Sequence, residues 1–135
     1  MDKISKEQRS LNMAKIGSKN TQPELLMFKL LKENNLKFKK HYNTFGKPDI
    51  AFPQMKIAIF INGEFWHGRN FSKTKNRLAD FWKEKIGKNI QRDRKNYKLL
   101  KNDDWEVIII WDKDLKKNPN KELTKILNSI KRLKK

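Results

Sequence analysis

Two segments of this 135-residue chain bring together residue types that do chemistry. In the first, Gly46-Lys47-Pro48-Asp49 leads into the apolar run Ile50-Ala51-Phe52. Pro48 closes a turn and sets the short carboxylate of Asp49 at the start of a strand, where it could reach a metal at a sheet edge. Pro-Asp alone is common in turns, and the second segment is what gives it weight. After the apolar residues 57–61 comes Asn62-Gly63-Glu64-Phe65-Trp66-His67-Gly68, a polar loop with two adjacent large aromatics and a histidine. Imidazole is the side chain suited to proton transfer near neutral pH, so His67 could serve as a general base or a phosphate partner; an ordinary loop histidine is the plainer alternative. His41 has no such company and reads as structural. Glu24 is accounted for by a helix cap, although a carboxylate at a helix N-terminus can also hold a histidine or a metal-bound water.

Charge narrows the partner. The chain has 33 Lys+Arg against 15 Asp+Glu, a formal charge of +18. Lysine supplies 27 of the basic residues and asparagine numbers 14, as an AT-rich coding sequence would give. Such a bias should also enrich glutamate, yet acids are scarce. The excess therefore points to a polyanion, with duplex nucleic acid foremost because Lys and Arg neutralise its phosphates. In that setting Phe65 and Trp66, an apolar pair on a glycine-flanked loop that is poorly explained as core alone, suit a wedge that enters a base stack. Residues 85–94, with Lys88 and Arg92, mix an apolar helical stripe with a dense basic face. That face is either a phosphate-tracking surface or simply a solvated one, and Arg92 with Asp93 could form an internal ion pair. The absence of cysteine excludes disulfides, thiolate zinc sites and cysteine nucleophiles. No apolar stretch is long enough to span a membrane, and no secretory signal is expected.

These side chains need a scaffold. Residues 1–20 read as a basic N-terminal arm, and residues 21–135 as one domain. Thr21-Gln22-Pro23-Glu24 has the form of a capping box, predicting a helix to about residue 33 that buries Leu26 and Leu30. Residues 38–43 read as extended, 49–52 and 57–61 as strands joined by a hairpin-length turn, and 64–75 as a loop. Apolar residues Phe81, Trp82, Ile86, Ile90, Tyr97 and Leu100 recur at helical spacing. Residues 105–111 read as a strand covered on both sides, and a last helix follows Asn118-Pro119. The long helix between the third and fourth strands implies a crossover, so the fold is α/β with a mixed sheet.

Taken together, these motifs resemble the very short patch repair (Vsr) endonuclease family, T:G mismatch nickases with a restriction-endonuclease-like fold (PD-(D/E)XK-type, a mixed central sheet flanked by helices). The matching pieces run in family order: Arg9-Ser10-Leu11-Asn12-Met13, residues 21–24, Gly46-Lys47-Pro48-Asp49, residues 60–68 with Phe65-Trp66-His67, residues 81–89, Arg92-Asp93, and residues 105–111. Carried over by position, the resemblance implies a metal-binding aspartate at Asp49 and a second metal contact from the backbone carbonyl of Ile61. It implies that His67 activates water with support from Glu24, and that Phe65, Trp66 and Met13 of the arm open the mismatch. The implied activity is Mg²⁺-dependent hydrolysis of one phosphodiester on the 5′ side of the mismatched T, by a monomer on double-stranded DNA in the bacterial cytoplasm.

Two positions depart from the family pattern. Where relatives carry Cys and His ligands of a structural zinc, this chain has Glu64, Arg69, Phe71 and Lys113. No structural zinc is expected, and pairing of Glu64 with Lys113 or Arg69 is expected to hold the loop instead. At Asn62, where relatives often have His or Asp, an amide can bind phosphate but cannot exchange a proton. Two alternatives stay open: a restriction-associated nuclease with another duplex substrate, and a DNA-binding module whose catalysis is weakened by Asn62.

Overall fold

The structure, a computed structural model, describes residues 21–133; the arm and Met13 lie outside them. Helix α1 (Gln22–Glu33) begins as the sequence indicates, with Thr21 as an extended N-cap and a proline in the first turn. The capping box itself is not formed. Thr21 makes no side-chain cap, and its Oγ1 instead donates to Glu24 Oε2 at 3.0 Å. The Glu24 side chain is thereby committed to the interior, where the residue is 2% exposed. The apolar stripe is also shifted from expectation: Met27, Phe28 and Leu31 are buried, while Leu26 and Leu30 pack at the margin.

Four strands, β1 (Lys39–Lys40), β2 (Ile50–Phe52), β3 (Ile57–Asn62) and β4 (Glu106–Trp111), form one sheet in that order. The β1–β2 and β2–β3 pairs are antiparallel, and β3–β4 is parallel. Parallel neighbours cannot be joined by a hairpin. The crossover runs through a short helix α2 (Phe71–Thr74), a 3₁₀ turn (Lys75–Arg77) and the long helix α3 (Asp80–Asn102). Helices α4 (Asp112–Lys117) and α5 (Pro119–Leu133) complete the described chain. The mixed sheet expected from the crossover is present. One local expectation is corrected: the segment after β3, read as a loop, contains α2. Strand β4 lies at a sheet edge. Both faces of β4 do meet apolar neighbours, but of its six residues only Ile110 is buried, because no strand among the described residues flanks its outer side. The strands with every residue buried are β2 and β3.

Side-chain alternation divides the core in two. On one face Ile50, Phe52, Ile57, Ile59, Ile61 and Ile110 pack with Met27, Phe28, Leu115, Leu123, Ile126 and Ile130 from α1, α4 and α5. On the other, Ala51, Ala58 and Phe60 pack with Leu100 and Trp105, joined by Tyr97. The small pair Ala51 and Ala58, opposite each other in register, leaves room for α3 to lie close. Each fully buried isoleucine or leucine contributes about 1.5–3 kcal/mol, so this packing fixes the strand ends firmly. The start of β2, the end of β3 and the end of β4 converge at one edge of the sheet, beside the N-terminal turn of α1 and the middle of α3.

Candidate active site

Asp49 stands immediately before β2. Its Oδ2 accepts the Ile61 N–H at 2.7 Å. The β2–β3 register pairs Ile50 with Ile59, and continuing it by two residues sets Pro48 opposite Ile61. Proline has no N–H to offer a facing carbonyl. The N–H and C=O of one strand residue point to the same side, so the Ile61 carbonyl faces the edge where Asp49 lies. Burial pushes the Asp49 carboxyl up to about 7; the Ile61 N–H opposes this, and the Glu24 charge adds to it. Glu24, His41 and Asp49 each offer one ligand atom, all within 4.8 Å of one another. His41 Nε2 lies 3.3 Å from Glu24 Oε1. Its backbone is left-handed (φ 48°), and its N–H donates to the Asp49 carbonyl at 3.1 Å.

A second constellation is formed by the loop that leaves β3 and by α3. His67 Nδ1 is 2.6 Å from Asp93 Oδ2, while Asp93 Oδ1 takes a 3.3 Å contact from Arg92. The loop bearing His67 is pinned by its own N–H to the Gly63 carbonyl (3.1 Å) and by Asn89 Nδ2 to the Trp66 carbonyl (3.0 Å). Gly68 (φ +61°) lets the loop press on α3, since an added Cβ would sit 2.6 Å from Ile90 Cδ1. Asn62 donates its Nδ2 to Tyr97 Oη at 2.9 Å, and the Tyr97 ring packs on Phe60 with centroids 5.0 Å apart. Burial pushes the Tyr97 hydroxyl up to about 12, against the Asn62 hydrogen bond, and the Asp93 and Asp49 charges add to the rise. Tyr97 thus stands within the field of both carboxylates and links the two groups. An open cleft of about 530 Å³ is lined by Asn62, His67, Asp93, Tyr97 and Trp111. Beside it, Phe65 (46% exposed) and Phe81 (40% exposed) flank Trp66 and Trp82. Each ring meets its neighbour edge-on, with centroids 4.8–5.6 Å apart.

Two carboxylates at a strand edge, a histidine held by a carboxylate and exposed aromatics could together hold a cation, move a proton and meet an apolar surface. A family model described as DNA mismatch endonuclease Vsr matches residues 1–73, just over half of the chain. The chain belongs to the Vsr family. It is 43% identical over 136 aligned residues to the type II nicking enzyme V.HpaIIP of Haemophilus parainfluenzae, with 96% of each chain covered. It is 38% identical over 122 residues to the type II nicking enzyme V.NmeDIP of Neisseria meningitidis serogroup C, covering 87% of this chain and 82% of the relative. To the DNA mismatch endonuclease Vsr of Escherichia coli strain K12 it is 34% identical over 114 residues, covering 82% and 73%. As a Vsr-family protein it is a DNA endonuclease.

Against the family expectations, the described residues divide clearly. Asp49, the Ile61 backbone and Glu24 converge, and His67, Asn62, Phe65 and Trp66 line or border the neighbouring cleft. The partner of His67 is not Glu24: Glu24 pairs with His41, and Asp93 takes the place beside His67. His41, read as structural from sequence, sits within the carboxylate cluster. Arg92 does pair with Asp93, as one reading allowed. Lys88 is exposed and 3.2 Å from Glu84. The aromatic loop of this Vsr-family chain is tied down by Arg69, which reaches Glu64 Oε1 at 2.8 Å and Asp114 Oδ2 at 2.8 Å. Its guanidinium lies 5.2 Å from the Trp111 ring centre. Both acids, Asp114 more than Glu64, raise the Arg69 pKa, and the bond to Arg69 lowers that of Asp114. The Glu64–Arg69 pairing was expected, the Asp114 arm was not, and Lys113 takes no part in this clamp. Among the described residues, no helix is long and apolar enough to cross a membrane.

Proposed function

We propose that this Vsr-family endonuclease nicks one strand of duplex DNA at T:G mismatches in a Mg²⁺-dependent reaction, acting as a monomer. The observation that carries the reading is the Asp49 carboxylate locked on the Ile61 N–H beside Glu24, with His67, in the loop that leaves β3, paired to Asp93. The family also counts among its members an Escherichia coli relative named a DNA mismatch endonuclease. With Asp49 heading the β2–β3 hairpin and Glu24 on the flanking helix, we read the sheet as a restriction-endonuclease-like core.

The oxygen-rich edge formed by Asp49, Glu24 and the Ile61 carbonyl suits Mg²⁺, which favours hard oxygen donors. When bound there, the ion supplies polarisation of the scissile phosphate and charge relief for the leaving oxygen. The protein's own groups do the rest. Asp93 accepts the His67 Nδ1–H, an assignment made from the hydrogen-bond network, and so leaves Nε2 with its lone pair toward the cleft. Nε2 takes a proton from water as the water oxygen bonds to phosphorus and the bond to the sugar oxygen breaks. Arg92 contacts the other Asp93 oxygen at 3.3 Å and so helps hold the carboxylate in place. Asn62, held by Tyr97, offers a hydrogen bond to a phosphate oxygen and no proton. Phe65 and Trp66 enter the opened stack, while the Arg69 clamp holds their loop where the family resemblance places zinc ligands; no zinc enters this reading.

The test is a labelled T:G duplex incubated with protein and Mg²⁺. A single nick in the T strand, absent from the matched duplex and from Asp49→Ala, supports the proposal. Equal cutting of matched DNA would move the reading to a nuclease with another duplex substrate, and salt-sensitive binding without any nick would move it to a binding module.

A further inference from the structure

The geometry points to His41 as a third protein ligand of the Asp49 metal site, giving it one nitrogen donor and a preference for a first-row transition ion such as Co²⁺ or Mn²⁺ over Mg²⁺. The inference deepens the metal-dependent reading above and rests on it. Three observations carry it. His41 Nε2 is within the same 4.8 Å cluster as the Glu24 and Asp49 oxygens. That nitrogen is buried, yet it has no hydrogen-bond partner among the described residues. A buried, unsatisfied ring nitrogen is costly unless something other than a protein group takes its lone pair.

The third observation reconciles two facts. Nε2 is only 3.3 Å from Glu24 Oε1, close enough for an ion pair, but the alignment fails as a hydrogen bond. Two groups that bond each other aim at each other; two ligands of one ion stand near each other and aim at a common point. The backbone supports that placement. His41 adopts a left-handed conformation that a non-glycine residue rarely takes, and its N–H is tied to the Asp49 carbonyl at 3.1 Å. The imidazole and the Asp49 carboxylate are therefore delivered to the site by one locked turn. The ring meets Phe28 edge-on at 6.4 Å, which limits its rotation. An imidazole beside two carboxylates raises affinity for transition ions far more than for Mg²⁺, which holds oxygen ligands and its own waters.

The chain has 2 histidines, which makes the test clean. Pulsed EPR of the full chain with bound Mn²⁺ should show nitrogen hyperfine coupling that vanishes in His41→Gln and persists in His67→Gln. Calorimetry should show His41→Gln weakening Co²⁺ binding by roughly tenfold or more, with a much smaller change for Mg²⁺. Metal binding without nitrogen coupling, or coupling that survives His41→Gln, overturns the assignment of His41 while leaving Asp49 as a ligand. Binding that Asp49→Asn leaves unchanged overturns the metal reading of the site itself, and His41 with it.

Discussion

Replacing Asp49 by asparagine should stabilise the metal-free protein while abolishing its nicking. The carboxyl rises from 3.8 to about 7 in the folded chain, chiefly through burial. The folded state therefore holds a proton that the unfolded state has lost across this window, and stability falls as pH climbs from about 4 to about 7. Three pKa units correspond to about 4 kcal/mol at pH 8, shrinking below about 1 kcal/mol at pH 4. Relaxation around the charge reduces the first figure, so a gain of at least about 1.5 kcal/mol at pH 8 is the working expectation. Asparagine keeps an oxygen for the Ile61 N–H and places an amide donor beside Glu24, so the substitution removes charge without orphaning the backbone. The assay is urea unfolding in EDTA at pH 4, 6 and 8 for both proteins, with mismatch nicking measured in parallel. A variant no more stable than the parent at pH 8, or a gain that is the same at pH 4, would refute the reasoning.

Other consequences follow from the same geometry. Asp93→Asn should leave folding intact and cut nicking by on the order of 10²–10⁴, because an amide there favours the wrong His67 tautomer; single-turnover rates check this, and rates within threefold of the parent count against the pair. Tyr97→Phe frees the Asn62 amide, which now donates to the hydroxyl at 2.9 Å; nicking should fall by roughly tenfold for a stability loss of about 1 kcal/mol, read by single-turnover kinetics beside urea melts. Phe65→Ala should weaken binding to T:G duplex by about 1–3 kcal/mol and leave matched-duplex binding nearly unchanged, as fluorescence anisotropy would show. Arg69→Ala should speed hydrogen exchange of the residue 63–70 amides, and molar salt should reproduce part of that change in the parent because the clamp is ionic.

Much of the site was legible in the sequence because it is built from short segments with strong local grammar. Pro48-Asp49 before an apolar run and the Phe65-Trp66-His67 loop after another are local patterns, and strand pairing brings them together with little freedom. What the sequence hid depends on how distant elements face each other. Nothing near His41 marks it; only the left-handed turn and the approach of α1 carry it to Glu24 and Asp49. The partner of His67 comes from α3, and choosing Asp93 over Glu24 required knowing which side of the sheet each helix covers. A signal was present, since Asp93 and Tyr97 are four residues apart and share a helical face with the apolar stripe. The capping box failed for a related reason: Thr21 and Glu24 bond each other because Glu24 is drawn inward. In β4, five consecutive apolar residues suit a buried strand or an edge strand packed on both faces, and composition alone does not separate these.

The central claim is that the Asp49 edge and the His67–Asp93 pair cut one strand of a mispaired duplex. Its most direct test is a time course with one duplex, labelled separately on each strand, carrying a single T:G pair or its matched T:A counterpart, in Mg²⁺ and in EDTA. The expected result is one nick on the 5′ side of the mispaired T, dependent on Mg²⁺ and lost in Asp49→Asn and His67→Ala. Cutting of both strands, equal cutting of the matched duplex, or cutting that survives Asp49→Asn would contradict it.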